Sequence, residues 1–330
     1  MSMHFNLADL FEAVADKVPS REALVCGDSR STYAELEQGA NRMAHYLASQ
    51  GVKAGDHVGL YMYNCSEYLE AMLACFKIRA VPINVNYRYV KDELLYIFDN
   101  ADMVACIHHR EFIPHIAEVR AAASKLKTFV SVDDDSTADL ALVGSVDYQQ
   151  AKDAQSDARD FAERADDDYF VLYTGGTTGF PKGVMLSHTN FYVSGISNAS
   201  ELHLRDGTVY LHAAPMFHIA DLLWFMAVTF VAGTHVVIPM FTPEGTLKAV
   251  EEHRPSHLLL VPVMLQMVLQ SPALATSDIS SLELIAYGAS PITEGVLRDA
   301  FKKFPKVKFL QAFGQTELSP VATILGTDYH

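Results

Sequence analysis

From His57 onward, short aliphatic and β-branched runs alternate with longer segments whose apolar residues recur every three to four positions. His57–Met62 reads as a strand, Ser66–Ile78 as a helix, Val81–Val85 as a strand, Asp92–Asn100 as a helix and Met103–His108 as a strand. The same format returns downstream. Thr208–Ala213 reads as a strand, Ile219–Phe230 as a helix, Thr234–Pro239 as a strand, Thr246–His253 as a helix and Ser256–Val261 as a strand. Strands separated by helices imply parallel β-α-β units. The near-equal spacing of the two runs predicts an α/β fold of two similar βαβ-type subdomains, residues 1–165 and 166–330.

Ahead of the first run, Thr32-Tyr33-Ala34-Glu35 reads as a capping box. Leu36, Ala40, Met43, Ala44 and Leu47 then fall on one helical face, and Gly51 closes the helix. Residues 133–168 are acidic and poor in large apolar side chains, which predicts a loose connection with one short helix. The apolar run Leu222–Met240 is long enough to suggest a membrane span, but Ala232-Gly233-Thr234-His235 interrupts it. A buried helix turning into a buried strand is expected there.

Composition narrows the function classes. Half of the 330 residues are hydrophobic and a fifth are charged, which is globular. A formal charge of −15 argues against a nucleic-acid surface, which needs clustered Lys and Arg. The four cysteines, Cys26, Cys65, Cys75 and Cys106, have no zinc spacing and read as reduced thiols of a cytoplasmic protein. Cys106, His108, His109 and His115 read as a strand end and polar loop, not as a metal site. The first ten residues lack the basic and apolar segments of a signal peptide, and no transmembrane segment is expected.

The stretch with most chemistry is Tyr173-Thr174-Gly175-Gly176-Thr177-Thr178-Gly179-Phe180-Pro181-Lys182-Gly183, between apolar runs at 169–173 and 184–186. Its glycines permit close backbone approach to an anion, its threonines and amides can donate to phosphate oxygens, and Lys182 adds positive charge. It is neither a P-loop, since Lys182 is followed by Gly183, nor a dinucleotide fingerprint. The stretch resembles the phosphate loop of the adenylate-forming enzymes (acyl-CoA synthetases, luciferases and nonribosomal peptide adenylation domains), with Gly175 in place of the family's serine.

Three further stretches extend the resemblance. In Ala214-Pro215-Met216-Phe217-His218, His218 stands where acyl-CoA synthetases place a histidine beside the acyl and pantetheine channel. Amino-acid adenylation domains tend to carry aspartate there; Asp221 is nearby but out of register. Tyr287-Gly288-Ala289-Ser290-Pro291 resembles the turn that lies against adenine and the acyl carbonyl. Gln311-Ala312-Phe313-Gly314-Gln315-Thr316-Glu317 resembles the adenine and metal motif, with Phe313 in place of tyrosine.

The resemblance implies most of the large amino-terminal domain of an ATP-dependent acyl-CoA synthetase. Such an enzyme turns a carboxylate and Mg-ATP into acyl-AMP and pyrophosphate, then passes the acyl group to coenzyme A. Lys182, Thr316, Glu317 and His218 would act on the reacting groups. Thr174, Gly175, Gly176, Thr177, Thr178, Gly179 and Lys182 would hold phosphates. Gly288, Ala289, Ser290, Gln311, Ala312, Phe313, Gly314 and Thr316 would hold the adenylate, and Thr174 and Glu317 would hold Mg²⁺.

The acid is expected to be fatty or aryl, with Trp224, Phe225, Val263, Met264 and Met267 as candidate pocket walls. Leu222 stands where some members carry a tryptophan gate. A homodimer is left open. The family's ribose aspartate, hinge arginine and small carboxyl-terminal domain with its catalytic lysine have no counterpart before His330, so the chain is expected to be a piece of a longer synthetase and inactive by itself. The alternatives are an acyl-AMP ligase that loads a carrier protein and a non-catalytic nucleotide-binding fragment.

Overall fold

A computed structural model describes residues 6–165, 168–175 and 179–330. In chain order they form α1 (Leu7–Lys17), β1 (Glu22–Cys26), β2 (Ser29–Thr32), α2 (Tyr33–Ser49), β3 (His57–Tyr61), α3 (Ser66–Lys77), β4 (Val81–Asn84), α4 (Lys91–Asn100), β5 (Met103–His109), α5 (Ile113–Val119), β6 (Thr128–Val132), β7 (Val146–Asp147), α6 (Tyr148–Asp153), β8 (Tyr169–Thr174) and β9 (Lys182–Ser187). There follow α7 (His188–Ala199), β10 (Val209–His212), α8 (Ile219–Phe230), β11 (Thr234–Val237), α9 (Pro243–His253), β12 (His257–Leu259), α10 (Pro262–Gln270), β13 (Leu284–Gly288), α11 (Glu294–Lys303), β14 (Lys308–Gly314) and β15 (Val321–Leu325), with short 3₁₀ turns between some of them.

The chain divides into two compact units. One comprises the residues up to Asp16 with Ala34–Thr189, the other Lys17–Tyr33 with Asn190–His330. The first unit holds a sheet of order β7-β6-β5-β3-β4-β8-β9, the second a sheet of order β15-β14-β13-β12-β10-β11-β1-β2. Interior pairs are parallel, whereas β8–β9, β1–β2 and β14–β15 are antiparallel. The expected repetition is present in the strand order itself. In each sheet the first strand of the run is central, with β6-β5-β3-β4 in one sheet matching β13-β12-β10-β11 in the other.

The expected boundary at residue 165 is not where the chain divides. Each sheet is completed by a hairpin beside the second strand of its run: β8–β9 in the first unit and β1–β2 in the second. The glycine-rich loop, expected at the start of the second subdomain, therefore belongs to the first sheet. The second sheet takes its hairpin from the chain's beginning, with Leu24 opposite His235 and Cys26 opposite Val237. Parallel pairing needs no tight turn, so nothing in the local sequence marks so distant a partner.

Strands buried on both faces read as unbroken apolar runs, as Val58–Tyr61 and all of β13 do. Helix α8, apolar except for Asp221 and Thr229, is likewise buried nearly throughout. On α9, Pro243 occupies the first turn, Thr242 accepts the Gly245 amide at 3.0 Å, and Arg254 ends the helix in the left-handed region. The acidic connection is not loose. Tyr148 is buried and donates to Glu70, Arg159 pairs with Glu37 and Asp16, and Arg164 forks onto Glu12 and also pairs with Asp9. Opposite charge elsewhere in the unit, invisible in the local composition, fastens it.

Candidate nucleotide and acyl site

In the first unit, β8 and β9 pair in register from Tyr169 opposite Ser187 to Thr174 opposite Lys182, so the described residues Gly175 and Gly179 stand at the open end of this strand pair. Thr174 donates its hydroxyl to the Lys182 carbonyl at 3.4 Å. Gly175, Gly179 and Lys182 are exposed, and a Cβ built on Gly175 or Gly179 would meet nothing within 4 Å. The open space beside these glycines is the room an approaching phosphate needs. Gly176, Thr177 and Thr178 lie outside the described residues.

Helix α4 holds both limbs of this open end. The Tyr173 hydroxyl donates to Asn100 at 2.7 Å, and the Tyr96 hydroxyl donates to the Pro181 carbonyl at 2.9 Å. The Tyr96 ring stacks on Phe180 with centroids 4.7 Å apart. The hairpin base is held as firmly. Asp168 accepts from Asn6 at 2.8 Å and from Arg79 at 2.6 Å. His188, which directly follows β9, accepts the Leu7 amide at Nδ1. Burial pushes the His188 pKa down to about 4, which keeps that nitrogen bare.

In the second unit the candidate residues follow the carboxyl ends of parallel strands, where open α/β sheets present ligand sites. His218 follows β10 and caps α8, its Nδ1 accepting the Ala220 amide at 3.2 Å. That bond leaves the imidazole proton on Nε2. The ring reaches solvent, yet the protein packed around it desolvates the imidazole and holds its pKa below the ordinary value, so it is a neutral donor.

Gly288 ends β13 opposite Ala312, and a Cβ there would stand 2.1 Å from the Ala312 carbonyl oxygen. Only glycine fits this close approach. Ala289 sits at φ +63°, and Ser290 follows it; a non-glycine residue in the left-handed region is strained, a feature that clusters at ligand-facing turns. Gly314 is similarly confined, its Cβ falling 1.9 Å from the Pro320 carbonyl oxygen. Gln311 and Ala312 are half-buried in β14, while Phe313 is 67% exposed and presents an open aromatic surface. Thr316 is buried in a 3₁₀ turn and Glu317, next to it, is exposed.

Thr174 and Glu317, expected to share Mg²⁺, lie on different units, and each is described only within its own. Among the described residues no group of three or more His, Cys, Asp and Glu could hold a metal ion. The donor set nevertheless suits a nucleotide: a glycine turn admitting backbone, an uncovered aromatic ring and an exposed carboxylate. Of the candidate pocket walls, Trp224, Phe225 and Met264 are buried in the second unit's interior, whereas Val263 and Met267 are exposed on α10. No helix among the described residues is long and apolar enough to cross a membrane.

The profile described as "AMP-binding enzyme" matches residues 11–330. The chain belongs to the AMP-binding enzyme family. Among its relatives, the 3-oxocholest-4-en-26-oate–CoA ligase of Rhodococcus rhodochrous is 41% identical over 76% of this chain and 48% of its own length. The medium/long-chain-fatty-acid–CoA/3-oxocholest-4-en-26-oate–CoA ligase of Mycolicibacterium smegmatis is 36% identical over 96% of this chain and 61% of its own. The inhibitor-bound N-terminal domain of FACL13 from Mycobacterium tuberculosis superposes with a TM-score of 0.89 at 26% identity, covering 99% of this chain and 79% of that one. The chain thus spans about half to three fifths of the length of these curated relatives.

Sequence reasoning missed the supports of this AMP-binding chain's glycine hairpin: Asn6, Tyr96, Asn100, Asp168 and His188. Their partners lie as far as 181 residues away, and no period or motif links them. The one available signal was positional, because Asp168 and His188 bracket the hairpin in the sequence.

Proposed function

We propose that the chain is the ATP- and acid-binding portion of an acyl-CoA synthetase acting on an apolar carboxylic acid. The observation that carries the reading is that His218, the Gly288–Ser290 turn, Phe313 and Glu317 lie at or beyond the carboxyl ends of β10, β13 and β14, strands of one sheet. The loop around Thr174, Gly175, Gly176, Thr177, Thr178 and Gly179, with Lys182, takes the β- and γ-phosphates. Phe313 stacks on adenine beside Gly288, Ala289, Ser290, Gln311, Ala312 and Gly314. Thr316 donates to the α-phosphate. Thr174 and Glu317 supply oxygen ligands of the kind Mg²⁺ prefers. Mg²⁺ held by them would neutralise phosphate charge; the acid's carboxylate attacks the α-phosphorus and pyrophosphate leaves. The protein supplies no nucleophile; its work is orientation and charge neutralisation.

The acid is fatty or steroidal. The relatives named above are ligases of such acids, and His218, a neutral imidazole, offers no carboxylate to an amino-acid ammonium group. The exposed Val263 and Met267 give the chain apolar surface for such a substrate. Coenzyme A is the thiol that receives the acyl group, and the protein works in the cytoplasm.

The test is acid-dependent exchange of pyrophosphate into ATP, in a longer form that adds the family's carboxyl-terminal domain. Exchange with fatty or steroid acids and none with free amino acids is expected; faster exchange with amino acids overturns the substrate class.

A further inference from the structure

Lys182 stands at the last register pair of β8 and β9, opposite Thr174. The ladder cannot continue through Pro181, which has no N–H to donate. What holds the chain there comes from outside the strand pair. The Tyr96 hydroxyl donates to the Pro181 carbonyl, the one backbone hydrogen-bonding group that a proline has. The ring of the same tyrosine stacks on Phe180 at an interplanar angle of 24°. Phe180 is 70% exposed, too open for core packing to fix it. Tyr96 thus grips two successive residues directly before Lys182.

The opposite limb is gripped one helical turn further on. Asn100 accepts from Tyr173, whose ring lies across Gly183: a Cβ built there would stand 3.2 Å from two of its ring atoms. Tyr96 and Asn100 are an i, i+4 pair and share one face of α4. The helix is a fixed base for this grip, because Leu94, Ile97 and Phe98 sink it into the unit's hydrophobic core.

We propose that Tyr96 is a positioning residue of the phosphate loop: by holding Phe180 and Pro181 it fixes the place from which Lys182 meets phosphate. The proposal rests on the reading of Lys182 as a phosphate ligand and adds the element that sets its approach. Lysine carries a point charge on a long flexible stem, so the placement of its backbone decides how often the ammonium is in reach. A loop that is in place only part of the time binds with an affinity lowered by that fraction. Losing one hydrogen bond of ordinary strength lowers the fraction by about 2- to 10-fold.

The test is calorimetric titration of the chain with Mg-ATP, run as a double-mutant cycle on Tyr96 and Lys182. Tyr96→Phe keeps the stacked ring and loses the bond to Pro181, so it should bind about 2- to 10-fold more weakly. Tyr96→Leu loses the stack as well and should bind more weakly still. If Tyr96→Leu does not fold, Tyr96→Phe carries the cycle alone. Neither loss should add to that of Lys182→Ala, because no ammonium is then left to place. Additive losses overturn the proposal, since Tyr96 would then act by another route than Lys182. Parental affinity in both Tyr96 variants, beside a weakened Lys182→Ala, overturns the positioning role and leaves the phosphate reading intact. Parental affinity in Lys182→Ala fails the phosphate reading itself and takes the proposal with it. Limited digestion with trypsin follows the grip without any nucleotide. Both Tyr96 variants should be cut faster than the parent between Lys182 and Gly183 at temperatures where all remain folded; unchanged cutting means that Tyr96 does not hold the loop and likewise overturns the proposal.

Discussion

The Leu7 amide donates to Nδ1 of His188, 3.0 Å away and 181 residues later in the chain. The bond fastens the amino end of α1 to the residue directly after β9, while Asn6 bonds Asp168, directly before β8. The two feet of this strand pair are thus tied to neighbouring residues, Asp168 to Asn6 and His188 to Leu7. The tie depends on an unprotonated imidazole, which the packing of Phe76 and Phe170 around His188 maintains.

Acid should weaken this arrangement. Burial pushes His188, His108 and His257 down to pKa values of about 4. In the unfolded chain they take up protons near the ordinary imidazole value, so their contribution is whole above about pH 6.5 and is lost as pH falls toward about 4. At about pH 5 each should cost roughly 2 kcal/mol. Urea unfolding at neutral and mildly acid pH measures the slope. His188→Gln, whose amide oxygen can still accept from Leu7, should flatten it; an unchanged slope would count against the assignment.

Much of this fold is legible in the sequence because its signals are local. The strands β3, β4, β5 and β10 and the helices α3 and α8 follow apolar periodicity to within a residue or two. The glycine-rich loop and its flanking strands are equally plain. What escapes is non-local. Leu24 pairs with His235 across most of the chain, and that pairing moves the hairpin β1–β2 into the second sheet. Arg164 reads as part of a solvated acidic segment until Glu12 is found beside it. Periodicity separates apolar from polar residues, so it cannot announce that His212, Asp221 and His235 are polar groups bonded to one another in the interior.

Lys182 offers the most direct check on the loop. It is exposed and its backbone, not its side chain, carries the strand pairing, so Lys182→Ala should leave unfolding unchanged. A charge-assisted bond to phosphate contributes about 1.5–3 kcal/mol. Calorimetric titration with Mg-ATP should therefore show affinity lower by roughly one to two orders of magnitude. Equal affinity in the variant would remove Lys182 from the phosphate site.

Two glycines should respond oppositely to a methyl group. At Gly288 the added carbon meets backbone, the Ala312 carbonyl oxygen 2.1 Å away, and strands β13 and β14 must part to admit it. Gly288→Ala should lose about 1–3 kcal/mol or more, as overpacking does. At Gly179 the methyl group meets nothing within 4 Å, so Gly179→Ala should unfold within about 0.5 kcal/mol of the parent. Thermal denaturation of the pair decides it, and similar midpoints would mean that the β13–β14 approach is looser than described.

Phe313 separates stacking from mere apolar contact. Its ring is 67% exposed, so it adds little to the core, and Phe313→Ala should barely shift the unfolding midpoint. An uncovered aromatic face beside the Gly288–Ala289 turn is costly to leave in water and suited to a planar base. Stacking of a base on an aromatic ring contributes about 1–3 kcal/mol, so the alanine variant should bind AMP roughly 5- to 100-fold more weakly. Phe313→Tyr, which restores the family's residue, should bind as tightly as the parent, because the stacking face is unchanged. Phe313→Leu keeps apolar area but has no π-face; it should fall near alanine if stacking is the interaction, and near the parent if apolar contact suffices. AMP titrations of the three variants decide between these, and parental affinity in Phe313→Ala would take the ring out of the adenine site altogether.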